Sequence, residues 1–160
     1  MSAIRMMNAF LEDDEDEYED FDRSPAAKIK GLQKQPVREI EFLDDDTVLA
    51  LAEELADMGD YKKATLVALL YDTGSRVNEI AQVEKESFYD ESKNLCNKVK
   101  GKRSKYYRPV YHSLTKKYVK KYLGQRGEDE IKELFITDTG TAADTAVIYD
   151  WIVNMRPLVA

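Results

Sequence analysis

The sequence predicts an α+β protein, mainly helical with a small three-stranded antiparallel sheet. Two segments, 44–58 and 62–71, repeat apolar residues at the spacing of a helix. Between residues 88 and 111 short apolar runs alternate with turn residues, which is typical of strands. The length of 160 residues favours one folded domain, because domains commonly contain about 100–200 residues.

The first two predicted helices have clear ends. Asp44 or Asp45 is a suitable N-cap for a helix that continues to about Met58, and Gly59 ends it. The segment 62–71 is strongly apolar, which predicts a buried central helix.

The second helix is expected to end at Gly74, since glycine accepts the left-handed conformation that follows a helix. Ser75 is then expected to cap a short helix over 76–81. Three short strands are predicted at 88–89, 95–99 and 106–111. Helical spacing returns over 114–123. A last helix is expected to be capped by Asp144 or Thr141 and to end near Met155.

Charge divides the chain into unlike parts. The stretch 12–22 contains nine acids and no base, and blocks of like charge repel themselves and tend to remain disordered. The alternative interpretation of 12–22 is a mobile acidic strip that competes with phosphates for a basic face. The stretch 93–121 contains eleven Lys or Arg residues and no acid. The net charge of −7 therefore conceals a basic region.

Several classes of protein are excluded by composition. With one cysteine, Cys96, and one histidine, His112, the chain has no internal disulfide, no Cys-rich zinc site and no multi-histidine metal site. Cys96 is expected to be a small buried residue. No apolar run reaches the roughly 20 residues that span a bilayer, and the N-terminus does not resemble a signal peptide. We expect an intracellular, cytoplasmic protein without a membrane partner, a metal or another cofactor.

The run from Leu69 to Ile80, LLYDTGSRVNEI, resembles the first arginine box of the tyrosine recombinases, also called the phage integrase family. That box has two leucines and an aromatic residue, then Thr-Gly-x-Arg, and Glu three positions later. Further along, Gly101-Lys102 is similar to the Gly-Lys pair that the family carries on a hairpin of its three-stranded sheet.

The resemblance implies a domain organisation. It makes residues 1–11 the terminal helix of an N-terminal DNA-clamping domain, 12–36 an acidic and then basic linker, and 37–160 the N-terminal half of the recombinase catalytic domain. The stretch 24–30 is similar to the family's interdomain connection, and 42–46 to the opening of its catalytic domain.

The chain departs from the family in one respect. The family's catalytic set continues with a His-x-x-Arg box, a later His or Trp, and a Tyr nucleophile. His112 is followed by Ser-Leu-Thr, so it does not belong to such a box. Tyr149 lies in an apolar helix and is expected to be a core or half-buried aromatic residue, and Trp151 is expected to pack. We therefore expect a fragment of a recombinase that does not cleave DNA by itself.

The resemblance implies that Arg76 and Lys102 are catalytic and that Glu79 supports them. The guanidinium of Arg76 would donate two parallel hydrogen bonds to the attacked phosphate. Lys102 would donate a proton to the leaving 5′-oxygen. The alternatives are a surface salt bridge between Arg76 and Glu79, and an ordinary solvated lysine. Lys100 and Lys105 are rivals for the role of Lys102.

A wider basic set is expected to bind DNA phosphates: Lys98, Lys100, Arg103, Lys105 and Arg108. The implied partner is double-stranded DNA, with self-association on DNA in the full-length protein, for site-specific recombination and integration of mobile elements. Two other interpretations remain open. One is a non-catalytic DNA-binding module or truncated regulator related to integrases, and the other is a helical interaction domain with no role on DNA.

Overall fold

A computed structural model describes residues 43–159, in which two helices pack against one apolar helix. In chain order the helices are α1 (Asp45–Asp57), α2 (Tyr61–Thr73), α3 (Val77–Ile80), α4 (Ser113–Arg126) and α5 (Thr145–Met155). Helix α2 packs against both α1 and α4, and its residues 64–69 are all buried. The predicted central helix is confirmed. The predicted helix 1–11 and linker 12–36 lie outside the described residues.

Aspartate side chains begin three of these helices. Asp44, Asp60 and Asp144 each accept a hydrogen bond from the backbone N–H three residues later, at 2.7, 3.0 and 2.9 Å. Each cap satisfies one of the N–H groups that have no partner inside the helix. This confirms Asp44 and Asp144 as caps. Within residues 43–159, no helix combines the length and the apolar character needed to cross a membrane.

The sheet has two strands rather than three in the described part of the chain. Strand β1 (Val99–Lys100) pairs antiparallel with β2 (Tyr106–Tyr107), with Val99 opposite Tyr107. An isolated bridge between Leu95 and Val110 extends the same pair of segments. The predicted strand at 88–89 is wrong, because this segment lies at the end of a 3₁₀ helix, Lys85–Phe88.

Side chains explain why the third strand does not form. Phe88 is buried with its ring 4.8 Å from that of Tyr111. The backbone N–H of Asn97 donates to the Ser87 hydroxyl at 2.8 Å, and the Asn97 amide oxygen accepts from the Glu84 N–H at 2.8 Å. These side chains satisfy backbone groups that a third strand would otherwise have paired.

Helix α5 is less buried than its sequence predicts. Ile148 and Met155 are buried and Trp151 is partly buried. Tyr149 is 53% exposed, so it is half-buried and not part of the core. Its position in the helix turns it away from the face that Ile148 and Met155 share.

A buried arginine fixes the end of α4 to the loop that follows. The Arg126 side chain is fully buried and donates hydrogen bonds to both carboxylate oxygens of Asp129. It also donates to the carbonyls of Ile131 at 2.9 Å and Leu134 at 2.8 Å. Lys85 contacts the same carboxylate at 3.1 Å. The loop thus folds around a satisfied guanidinium, next to the buried Leu134.

Replacing Asp129 with Asn should reduce the free energy of unfolding at pH 7 by about 3–5 kcal/mol, because it leaves a buried guanidinium without its counter-charge. Hydrogen bonds from Arg126 hold the pKa of the Asp129 carboxyl far below its usual range, against the effect of burial. The stabilisation is therefore complete above the usual carboxyl pKa and disappears as the pH falls through the lowered value. Urea unfolding from pH 7 into strong acid measures this dependence.

Asp138→Asn is the matched control, since Asp138 pairs with Lys62 but is 97% exposed. Its effect should be much smaller than that of Asp129→Asn, because solvent screens an exposed ion pair. Equal effects of the two substitutions at pH 7 would contradict the structural role of Asp129.

Candidate nucleic-acid interface

The end of α2 presents Arg76 at the surface. Gly74 has a left-handed φ of 59°, and its N–H donates to the Leu70 carbonyl at 3.0 Å, which ends the helix. The Thr73 hydroxyl accepts from the Ser75 N–H at 3.2 Å. These contacts turn the chain sharply, and the expectation for Gly74 is confirmed.

Arg76, rather than the predicted Ser75, is the N-cap of α3. The Ser75 hydroxyl lies 3.0 Å from the Tyr107 hydroxyl and makes a contact between the turn and β2 instead. The capping contact comes from within α3, where the Glu79 carboxylate accepts from the Arg76 backbone N–H at 2.7 Å. The arginine side chain therefore has no capping task.

Glu79 is a buried carboxylate with several donors. One oxygen, Oε2, accepts from the Arg76 N–H and from the Tyr107 hydroxyl, the latter at 2.8 Å. The other, Oε1, accepts from Arg76 Nη1 at 3.2 Å. Burial raises the pKa of Glu79, but the hydrogen bonds from Arg76 and Tyr107 outweigh it and the net pKa is lowered. The carboxylate is consequently charged at neutral pH, although it is buried.

The β1–β2 hairpin lies directly against this carboxylate. A Cβ atom on Gly101 would be 3.1 Å from Glu79 Oε1, the atom that also binds Arg76. Gln82 holds the adjoining residue, accepting from the Lys100 N–H at 2.9 Å and donating to its carbonyl at 3.1 Å. The Arg76 turn and the backbone next to Lys102 therefore meet at one carboxylate.

The pair between Arg76 and Glu79 is strongly asymmetric. The Arg76 side chain is 67% exposed, whereas that of Glu79 is 3% exposed. The salt bridge foreseen as an alternative does exist, but it leaves most of the guanidinium open to solvent. Lys102 is also exposed. Both cations are accessible to a ligand.

The five other basic residues of the predicted set are all exposed on or beside the hairpin: Lys98, Lys100, Arg103, Lys105 and Arg108. None of them forms an ion pair with a residue of 43–159. Lysines of α4 differ, since Lys117 pairs with Glu53 at 3.7 Å and Lys120 with Glu91 at 2.9 Å. The hairpin therefore carries positive charge that the described acids do not neutralise by direct contact.

Three supporting residues were not recognised from the sequence: Asp72, Gln82 and Tyr107. Asp72 accepts from the backbone N–H groups of His112 and Thr115, each at 2.9 Å, and so joins the end of α2 to the start of α4. In the sequence, the only local signal for a supporting role of Asp72 was its position beside Thr73-Gly74. Nothing in the sequence pairs Gln82 or Tyr107 with their partners.

The described residues offer little support for nucleophilic or metal chemistry. Cys96 is buried as predicted, and burial raises the pKa of its thiol to about 12. A thiol is a weak nucleophile unless it is ionised. No group of three or more His, Cys, Asp or Glu residues in 43–159 is placed to hold a metal ion.

Comparison with solved structures finds the crystal structure of XerA recombinase, with a TM-score of 0.64 and 22% sequence identity. The match covers 81% of this chain and 46% of that one, so the chain spans about half the length of this neighbour. No family model matches the sequence, and no curated protein matches it. The fold is therefore similar to that of a recombinase domain, as the sequence resemblance implied.

Gly101→Ala should reduce the free energy of unfolding by about 1–3 kcal/mol, because the added methyl group presses on Glu79 and on Tyr107, 3.2 Å away. Hydrogen exchange should show reduced protection of the Gly101 amide, which donates to the Lys105 carbonyl at 2.7 Å. Urea unfolding measures the first effect.

Gly124→Ala is the control, since a Cβ atom there meets no atom within 4 Å and lies in helix α4. This substitution should stabilise the protein by up to about 1 kcal/mol. A Gly101→Ala variant as stable as the wild type would show that the hairpin is not packed against Glu79.

Proposed function

We propose that this chain acts in site-specific DNA recombination of the tyrosine-recombinase type, and that residues 43–159 contribute the part of a catalytic domain that binds the scissile phosphate. The observation that carries the proposal is the junction at Glu79. One buried carboxylate binds Arg76 and lies beside Gly101, the residue before Lys102, in a fold similar to that of a recombinase.

Arg76 is proposed to bind the non-bridging oxygens of the phosphate. Attack on a phosphodiester increases the negative charge on these oxygens, and a planar guanidinium meets two of them with parallel hydrogen bonds. Glu79 occupies only one Nη atom of Arg76, which leaves donors for the phosphate. Because Glu79 also fixes the Arg76 backbone, it acts as a positioning residue.

Lys102 is proposed to donate a proton to the leaving 5′-oxygen. Lys102 is preferred over Lys105 because it directly follows Gly101, as in the Gly-Lys pair that the resemblance implies. Lys100 has both of its backbone polar groups held by Gln82 within β1. Lys100 and Lys105 are more suitable as contacts to flanking phosphates, with Lys98, Arg103 and Arg108.

Double-stranded DNA is the proposed partner, and self-association on DNA is proposed for the full-length protein. No His-x-x-Arg sequence occurs in residues 1–160. We therefore propose that this chain binds the phosphate but does not carry out the attack. A non-catalytic DNA-binding module related to integrases would share the same surface, and activity of the longer protein separates the two.

Arg76→Ala should weaken binding to a short DNA duplex by about 1.5–3 kcal/mol, since it removes hydrogen bonds from a charged donor to phosphate. Lys102→Ala should also weaken binding. Each substitution should make the salt dependence shallower, with the slope of log K against log salt falling by about one. Fluorescence anisotropy between low and physiological salt measures both quantities.

Lys120→Ala is the matched control, because Lys120 is an exposed lysine that already pairs with Glu91. Its affinity and its slope should equal those of the wild type. If Arg76→Ala binds as tightly as the wild type, Arg76 is not a phosphate clamp. If the wild-type chain does not retard duplex DNA even at low salt, the result favours an interaction domain that has no role on DNA.

The 160-residue chain should form no covalent adduct with a nicked suicide substrate, in which the product of cleavage cannot be religated. Its ten tyrosines include no residue paired with a second arginine box. Denaturing gel electrophoresis with labelled DNA detects an adduct. A labelled protein band that disappears on substitution of one tyrosine would refute this expectation.

A further inference from the structure

Tyr107 reaches the buried carboxylate of Glu79 from strand β2. Its partner across the hairpin, Val99, is fully buried, which anchors this pair of residues to the core. The tyrosine ring passes beside Gly101, where a Cβ atom would lie 3.2 Å from Tyr107 Cε1 and 3.1 Å from Glu79 Oε1. Because glycine has no side chain, the ring has room to bring its hydroxyl within 2.8 Å of Glu79 Oε2.

The polar groups around Tyr107 form a chain of hydrogen bonds that runs in one direction. A charged carboxylate only accepts hydrogen bonds, so the single proton of the Tyr107 hydroxyl goes to Glu79. The Ser75 hydroxyl, 3.0 Å away, then donates to the tyrosine oxygen. Partial burial raises the pKa of Tyr107, and its contact with Glu79 raises it further. The hydroxyl therefore keeps its proton at neutral pH and is a constant donor to Glu79.

The Tyr107 hydroxyl limits how Glu79 pairs with Arg76. Oε2 accepts from the Arg76 backbone N–H at 2.7 Å and from Tyr107, whereas Oε1 accepts from Arg76 Nη1 at 3.2 Å. The guanidinium thus gives one hydrogen bond to Glu79, although arginine and a carboxylate frequently form two in parallel. An oxygen of a carboxylate has two acceptor positions, and both positions of Oε2 are occupied. Without the phenol hydroxyl, Oε2 has a free position for a second N–H of the guanidinium.

We propose that Tyr107 is a positioning residue that keeps Arg76 available for the DNA phosphate, by occupying the carboxylate oxygen that would otherwise bind a second donor of the guanidinium. The inference rests on the proposed function and adds a residue of strand β2 to the phosphate site. Glu79 and a phosphate compete for the same donors of Arg76. The arginine side chain is 67% exposed in its single contact with Glu79, so its other donors are open to a phosphate. Two parallel bonds to Glu79 would leave fewer of them.

Tyr107→Phe tests the proposal, because it removes the hydroxyl, keeps the ring and leaves the charge unchanged. Its affinity for a short DNA duplex should fall about 2- to 10-fold, which corresponds to one hydrogen bond. The decisive measurement is a double-mutant cycle with Arg76→Ala, read by fluorescence anisotropy. In the Tyr107→Phe background, Arg76→Ala should cause a smaller loss of affinity than in the wild type, by about the same factor. The reason is that Glu79 already holds the guanidinium in that background.

A second measurement needs no DNA. Phenylglyoxal modifies accessible guanidinium groups, and mass spectrometry of digested protein gives the rate at each arginine. Arg76 should react more slowly in Tyr107→Phe than in the wild type. Arg108, an exposed arginine of the same chain, should react at the same rate in both. Loss of folding would speed the reaction instead, so a slower rate is specific to the new pairing with Glu79.

Tyr106→Phe is the matched control, since Tyr106 precedes Tyr107, is 57% exposed and keeps its ring beside Lys98 after the substitution. It should leave the affinity, the effect of Arg76→Ala and the reactivity of Arg76 unchanged. If the losses caused by Tyr107→Phe and Arg76→Ala simply add, Tyr107 acts independently of Arg76 and the proposal fails. It also fails if Arg76 reacts with phenylglyoxal as fast in Tyr107→Phe as in the wild type.

In both of these cases, DNA binding that depends on Arg76 leaves the proposed function intact. Absence of any DNA binding by the wild type overturns the proposed function and this proposal together.

Discussion

The buried carboxylate of Glu79 is the contact on which the interface depends. Placing a carboxylate away from water is costly unless its oxygens accept hydrogen bonds. Here the donors are the Arg76 backbone, the Arg76 side chain and the Tyr107 hydroxyl. They come from two segments that are distant in sequence, the turn after α2 and strand β2. Moving the hairpin away would remove the Tyr107 donor from this buried charge, so the carboxylate links the turn to the hairpin.

The helical scaffold fixes both ends of α4 by charged side chains. Asp72 accepts two backbone N–H groups at the start of α4, where an acid also interacts favourably with the helix dipole. Arg126, at the other end, binds three carbonyls and Asp129. Since Asp72 lies two residues before Gly74, the contact that anchors α4 also anchors the turn carrying Arg76. The apolar core and the interface are therefore joined through α2.

The parts of the fold that local chemistry controls could be predicted, and those that depend on distant contacts could not. Asp44, Asp144 and Gly74 are cap residues whose effect needs only their neighbours, and the structure has them as caps. The prediction of a third strand was wrong because Phe88 packs on Tyr111, a contact that no local pattern reveals. At the site, the pairing of Glu79 with Arg76 follows from their spacing, whereas its contacts with Tyr107 and Gly101 require the folded chain. The roles of Arg76 and Lys102 on DNA stay predictions.

The net charge of −7 does not describe the local electrostatic field at the hairpin. At physiological ionic strength the Debye length is about 8 Å, so exposed acids farther away are largely screened. The hairpin cations have no described acid in direct contact, while Lys117 and Lys120 of α4 do. A phosphate at the hairpin would therefore experience the local cations more strongly than the more distant acids of residues 43–159. The distribution of ion pairs, rather than the total charge, determines which face attracts a polyanion.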